Sequence, residues 1–197
     1  MSHKIIKNVL NKEICDFLLP YYILKKNALV TYIDEHNISP FDKSHGTFGD
    51  TQSSNKSYCA YSDTAAETIL ALSQSKIEKE LNKKLIPTYS YMRVYEKGEV
   101  LKKHQDRFSC QLSGTIFIGG EKWPLYLEVD GKTIEINLEQ GDMLIYEGAK
   151  YSHWRDELKQ NTCTQVFIHY IYDDNPDKDK LKFDGRKTLG AFKFGIV

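Results

Sequence analysis

Arginine is scarce in this chain. Among 197 residues there are four, Arg93, Arg107, Arg155 and Arg186, so lysine supplies nearly all of the 27 basic side chains. An excess of charge is also missing. The 27 acidic residues balance the basic ones, which argues against nonspecific binding to nucleic acid or to an anionic membrane. No apolar run approaches the ~20 residues of a membrane-spanning helix. The stretch from Met1 to Leu10 lacks the apolar core of a signal peptide. The four cysteines (Cys15, Cys59, Cys110 and Cys163) lie far apart and form no CxxC pair. That argues against a disulfide framework and a zinc finger, and free thiols in a reducing cytoplasm are expected. There is no internal repeat and no low-complexity tract. The length suits a single domain with a core large enough to fold without disulfide or structural metal.

What the chain does have is aromatic side chains, including 13 tyrosines, which suit a β-rich fold with polar-tipped rings lining a cavity. A helix is expected over residues 11–33, with Asn11 as N-cap and apolar Ile14, Phe17, Leu18, Tyr21, Tyr22 and Leu24, interrupted or kinked at Pro20. Residues 34–57, with Pro40, read as a long loop of the kind that serves as a lid. Thr64-Ala65-Ala66-Glu67 matches a capping box and places a second helix over about residues 64–82. From Leu85 the period becomes two: Tyr89, Tyr91, Arg93 and Tyr95 share one parity, Ser90, Met92 and Val94 the other. Strand-like runs follow at Gln111–Ile118, Pro124–Val129, Lys132–Asn137, Asp142–Tyr146 and Thr164–Tyr172, separated by glycine turns. Seven or so short strands imply a mainly β sandwich or barrel with flanking helices. The run from Asp173 to Lys180 reads as a solvated linker to a tail ending in Leu189-Gly190-Ala191-Phe192-Lys193-Phe194, free to dock on the domain or on a second copy.

One cluster carries chemistry. In His104-Gln105-Asp106, an extended backbone turns the imidazole and the carboxylate to the same side. His153 lies near the start of a later strand-like run. Two histidines and one carboxylate are the ligand set of the facial triad of non-haem Fe(II) oxygenases. HxD alone also occurs as a surface or satisfied His–Asp pair. His3, His36 and His45 have no carboxylate two residues on and read as surface or loop residues. His169 lies within a strand-like run, as a core histidine or as a hydrogen-bond donor behind the ligands. Arg107 follows Asp106, and Arg155 lies two residues after His153 on the same face of an extended chain. Either a bound carboxylate or a salt bridge with Asp156 or Glu157 accounts for Arg155. For Arg107 a structural role is favoured, because it points off the ligand face.

The run Pro87-Thr88-Tyr89-Ser90-Tyr91-Met92-Arg93-Val94-Tyr95, then Gly98, His104-Gln105-Asp106-Arg107, Ser109-Cys110 and Ser113-Gly114-Thr115 resembles the Fe(II)- and 2-oxoglutarate-dependent dioxygenases. Gly141-Asp142, Tyr146, His153-Trp154-Arg155 and Gln165-Val166-Phe167-Ile168-His169-Tyr170 extend the likeness over about residues 50–172. It is nearest to prolyl 4-hydroxylase-type domains of the small bacterial and phage branch. The resemblance implies a double-stranded β-helix, a cupin-like jelly roll with iron at its mouth. It implies one oxygenase domain over 1–172, with a helical part at about 1–84, a jelly-roll core at about 85–172 and a tail over 173–197. His104, Asp106 and His153 would ligate iron, and Tyr95 would meet the far carboxylate of 2-oxoglutarate. The lysine that prolyl 4-hydroxylases place on the last core strand is absent: Asn161-Thr162-Cys163-Thr164-Gln165 carries no cation. Gln165 can donate only a hydrogen bond, so the charge falls to Arg155, or less favourably to Arg93 or His169.

The activity so implied is hydroxylation of an unactivated C–H bond of a prolyl or peptidyl substrate. It consumes O2 and 2-oxoglutarate and releases succinate and CO2, with ascorbate as a stimulant. The loop of residues 39–57 with Tyr58, Tyr61 and Tyr91 would shape a groove for a peptide, or close over a free amino acid or other small molecule. A jelly-roll binding module without redox chemistry, or a cupin-like enzyme of another class, are the rival readings. A cytoplasmic protein with neither nucleic-acid nor membrane partners is expected.

Overall fold

The computed structural model describes residues 2–39, 41–54 and 56–191. Along the chain run β1 (His3–Ile6), α1 (Lys12–Asp34), β2 (Thr47–Phe48), β3 (Tyr58–Tyr61), α2 (Thr64–Leu81), β4 (Leu85–Tyr95), β5 (Leu101–His104) and β6 (Leu112–Gly120). They are followed by β7 (Leu125–Val129), β8 (Lys132–Ile136), β9 (Met143–Tyr146), β10 (His153–Arg155), β11 (Cys163–Tyr172) and α3 (Lys178–Leu181). Seven strands form a larger antiparallel sheet in the order β1-β9-β6-β11-β4-β3-β2, and four form a smaller one in the order β5-β10-β7-β8. The two face each other as a jelly roll that is not closed into a barrel.

Side-chain parity explains the layering. On β4, Met92 and Val94 point to the helices, and with Leu18, Tyr22, Leu70, Ile116 and Ile168 they build an apolar layer between α1, α2 and the larger sheet. Tyr95 points the other way, into a second cluster between the sheets with Phe117, Trp123, Leu127, Leu144 and Leu158. Each fully buried aliphatic side chain contributes about 1.5–3 kcal/mol. The two layers therefore pack the larger sheet on both faces, and the site lies between the sheets, with His104 and His153 on strands of the smaller one.

Several expectations change. Asn11 does cap α1, its Oδ1 accepting from the Ile14 amide at 3.0 Å. Pro20, however, neither ends nor splits the helix. It lies on the exposed side, where a freed carbonyl can bond to water. The cap of α2 is Asp63, not Thr64: Asp63 Oδ1 accepts from the Ala65 and Ala66 amides. Glu67 forms no capping box, and its carboxylate is buried against Arg186. The segment before residue 85 is not only helical, because β1 supplies one edge of the larger sheet and β2 and β3 the other. The charged run after Tyr172 is not a free linker. It forms α3 and a turn over Lys182–Gly185, with Leu181, Asp184 and Arg186 buried. The tail thus docks on its own domain as far as Ala191. Pro40, Phe192, Lys193 and Phe194 lie outside the described residues.

Candidate metal centre

His104 ends β5 and His153 begins β10, and the two are antiparallel register partners. Their rings lie 4.2 Å apart, centroid to centroid. Each turns its Nδ1 to a backbone carbonyl two residues earlier, His104 to Lys102 at 2.6 Å and His153 to Tyr151 at 3.1 Å. A carbonyl accepts only, so Nδ1 carries the proton and Nε2 presents its lone pair. Both Nε2 atoms stand 3.6 Å from Asp106 Oδ1. Ligand atoms of the three side chains lie within 4.8 Å of one another. Two imidazole nitrogens and one carboxylate oxygen, each tautomer fixed by an outer hydrogen bond, suit a divalent iron-type ion.

Asp106 is held by more than its ligating oxygen. Its amide donates to the Gly148 carbonyl at 3.0 Å, and its Oδ2 accepts from the Ser113 hydroxyl at 2.6 Å. Ser113 spends its one proton there, so the 3.1 Å contact with His169 Nδ1 is an N–H donated to the serine oxygen. Burial works to raise the Asp106 carboxyl, yet the close approach of the His104 and His153 rings holds it well below the usual carboxylate range. Burial pushes His169 down to about 4, so it is neutral near pH 7. A second group, Asp106 with Cys110 and His169, is also compact. Burial pushes the Cys110 thiol up to about 12, so with no metal bound it is a neutral thiol at pH 7.

A cavity of about 1010 Å³ opens over the triad. Tyr61, Tyr89, Tyr91 and Phe167 give it an aromatic wall, and residues 46–52 line it beside that wall, with Asp50 Oδ2 accepting from the Tyr91 hydroxyl at 3.1 Å. Beyond the triad it ends at Thr115, Leu125 and Tyr146, between the sheets. Tyr58 is absent from the lining: it is buried, and its hydroxyl donates to the His45 carbonyl.

The other expected site residues lie at or behind this inner end. Arg93 lines the cavity but is already neutralised. Its Nη2 meets Asp50 Oδ2 at 2.5 Å and Gln52 Oε1 at 2.7 Å, and its Nη1 donates to the Tyr95 hydroxyl at 2.9 Å. Burial works to raise the Asp50 carboxyl, and the Arg93 charge overrides it and lowers it. Gln165 is turned inward, with Oε1 accepting from Thr115 Oγ1 and Nε2 donating to Cys163 Sγ, both at 3.2 Å. Arg155 shares the buried face of β10 with His153. It makes no ion pair with Asp156, Glu157 or any other described residue. Its Nη1 donates to the Trp123 carbonyl, and its Nε has no partner. It lies just behind the cavity wall, where its charge works against the burial that raises the Tyr95 and Tyr146 hydroxyls.

Sequence spacing alone singles out neither Ser113 nor Gly148 as site residues. A Cβ at Gly148 would fall on Asp106 Oδ2 and Ser113 Oγ. The Arg107 guanidinium lies 4.2 Å over the Tyr89 ring, and its Nη2 forms a salt bridge with Asp184 at 3.0 Å.

No family model and no curated protein sequence matches the chain. Solved structures do. AviO1 from Streptomyces viridochromogenes Tue57 superposes with a TM-score of 0.63 at 14% identity, over 89% of this chain and 91% of its own. The viral collagen prolyl hydroxylase of Paramecium Bursaria Chlorella virus-1, in its 2-oxoglutarate complex, gives 0.58 at 12%, over 86% and 96%. HygX from Streptomyces hygroscopicus, with nickel and 2-oxoglutarate bound, gives 0.53 at 9%, over 86% and 82%. The chain is therefore similar in fold to 2-oxoglutarate-Fe(II) oxygenases, including prolyl hydroxylases, across most of its length.

Proposed function

We propose that the protein is an Fe(II)- and 2-oxoglutarate-dependent dioxygenase that hydroxylates an unactivated C–H bond. The observation that carries this reading is the convergence of His104 Nε2, His153 Nε2 and Asp106 Oδ1 in the wall of an open cavity. Three protein ligands leave positions for a bidentate cosubstrate and for O2. When bound, the iron would couple conversion of 2-oxoglutarate to succinate and CO2 with hydroxylation of the substrate.

The chain's own part is binding and positioning. The carbonyls of Lys102 and Tyr151 fix the Nδ1–H of His104 and His153 and leave each Nε2 for the metal, and Ser113 orients the Asp106 carboxylate. Arg155 is our choice for the far carboxylate of 2-oxoglutarate. A buried guanidinium with no anion costs several kcal/mol, and a carboxylate at the inner end of the cavity would remove that cost. Arg93 is already spent on Asp50 and His169 is neutral, so neither competes for the role. Tyr95 and Gln165 would then line the subsite from behind. Leu125, buried and lining the cavity, gives that end an apolar wall.

For the substrate we favour a prolyl or other peptidyl group. The support is the likeness to a collagen prolyl hydroxylase together with a cavity, at about 1010 Å³, that reaches the upper end of the usual ligand-site range. A free amino acid is the smaller alternative. The test is anaerobic addition of Fe(II) and then 2-oxoglutarate, read as a weak visible charge-transfer band. Succinate release against a peptide and small-molecule panel follows. No band and no metal uptake would favour a binding module without redox chemistry.

A further inference from the structure

The C-terminal segment returns to the metal centre. Arg186 is buried and saturated: Nη2 donates to Glu67 Oε1 at 2.7 Å and to the Thr88 carbonyl at 3.1 Å, and Nη1 donates to Glu67 Oε2 at 3.1 Å and to the Ala191 carbonyl at 2.8 Å. The Gly190 amide also donates to Glu67. These bonds fasten residues 186–191 to the first turn of α2 and to β4. Just before the anchor, Phe183, Asp184 and Gly185 have φ of 52°, 56° and 73°. Two of the three are not glycine, and side chains hold that left-handed conformation only where the surroundings over-determine it.

The turn places one carboxylate. Asp184 is buried and accepts from the Tyr61 hydroxyl at 2.5 Å and from Arg107 Nη2 at 3.0 Å. Arg107 directly follows the ligand Asp106 and covers the ring of Tyr89. Tyr89 stacks on His169 at 4.6 Å, and His169 reaches Asp106 Oδ2 through Ser113. Asp184, Arg107, Tyr89 and His169 thus form one continuous wall from the C-terminal segment to a metal ligand, and its last three members face the cavity.

We propose that Asp184 is a positioning residue of the metal centre: it holds the Arg107 guanidinium in the cavity wall and away from the Asp106 carboxylate. The inference rests on the metal-centre reading above. With Asp184 neutralised, Arg107 becomes an unpaired cation one residue from a buried carboxylate, and it competes with the metal for that carboxylate.

The test uses Co(II) as the probe, titrated into the full chain and read from its visible absorption. Asp184→Asn keeps the shape and removes the charge. It should weaken Co(II) binding about tenfold, at the low end for a group outside the ligand set, and shift the absorption band. Asp179→Asn, at an exposed position in α3, should change neither. Adding Arg107→Gln to Asp184→Asn should restore most of the affinity, because the competing cation is gone. Wild-type affinity in Asp184→Asn at an unchanged unfolding midpoint, or no recovery in the double variant, would overturn the role through Arg107. A wild-type protein that takes up no Co(II) would instead overturn the metal-centre reading, and this inference with it.

Discussion

His104 and His153 stand directly opposite each other on adjacent antiparallel strands, with ring centroids 4.2 Å apart and each Nδ1 tied to the carbonyl two residues before it. The same local device is used twice, so both Nε2 lone pairs are aimed before any metal arrives. That preorganisation implies steep dependence on either ring. His104→Ala should abolish turnover and weaken metal uptake by at least about 100-fold, measured by titration with Co(II) or anaerobic Fe(II). Residual turnover at wild-type level would remove the triad assignment.

Arg155 offers a sharper test, because it separates cosubstrate binding from metal binding. The guanidinium is 1% exposed and has no anionic partner among the described residues. Arg155→Ala should therefore leave metal affinity within about twofold while weakening 2-oxoglutarate by at least about tenfold, or about 1.4 kcal/mol. Arg155→Lys should recover part of the loss, since it keeps the charge but not the planar fork. Titration of the anaerobic charge-transfer band with 2-oxoglutarate reads both variants. Unchanged affinity in Arg155→Ala would return the role to Arg93.

Much of this is legible in the chain, for identifiable physical reasons. A long strand such as β4 writes its two faces as alternation, so Tyr89, Tyr91, Arg93 and Tyr95 fall on one side by parity alone. HxD at a strand end fixes a shared direction for His104 and Asp106 by local geometry. The four-residue β1 and the two-residue β2 carry too few turns of any period to be read. Asp63 and Thr64 are both good capping residues, and only backbone geometry chooses between them. Glu67 reads as a capping residue because its partner, Arg186, is remote in sequence and no local rule can see it. The same holds for Ser113, whose role exists only where β6 and β11 bring it between Asp106 and His169.

His169 should impose an acid limit on stability. Its value falls from 6.5 to about 4 on folding because burial disfavours the charged ring. The unfolded chain therefore takes up this proton more readily. Stability is fully present above pH 6.5 and is lost as pH falls towards 4, by about 3 kcal/mol in all. Denaturant midpoints of chelator-treated protein across that window measure the slope. His169→Phe keeps a ring against Tyr89 and cannot titrate, so its slope should be shallower by that amount. An equal slope in both proteins would show that His169 is accessible to protons in the folded state.

Gly148 tests how closely Asp106 is packed. An added Cβ would fall on Asp106 Oδ2 and Ser113 Oγ, and both atoms are pinned by their mutual hydrogen bond. Gly148→Ala must displace the carboxylate or the serine, which costs about 1–3 kcal/mol as overpacking. Metal affinity should drop about 10-fold or more, with the secondary structure seen by circular dichroism intact. If the Gly148→Ala variant bound metal normally, the Ser113 contact would be dispensable for ligand orientation.

The Glu67–Arg186 pair should be the costliest single contact to break outside the site. Both side chains are almost fully buried, at 1% and 3% exposure, and they meet at 2.7 Å. Removing the cation alone leaves a carboxylate in a low-dielectric layer, satisfied among the described residues by the Gly190 and Ser90 amides. Such half-broken buried pairs lose about 3–5 kcal/mol. Arg186→Met should therefore lower stability by that amount in denaturant unfolding. Pairing it with Glu67→Gln should recover a good part, because the uncompensated charge is then gone even though the bond is not remade. The recovery separates charge burial from lost packing. If the double variant were no more stable than Arg186→Met, the loss would belong to packing of the arginine stem, and the pair would matter to the fold for its shape and not for its charge.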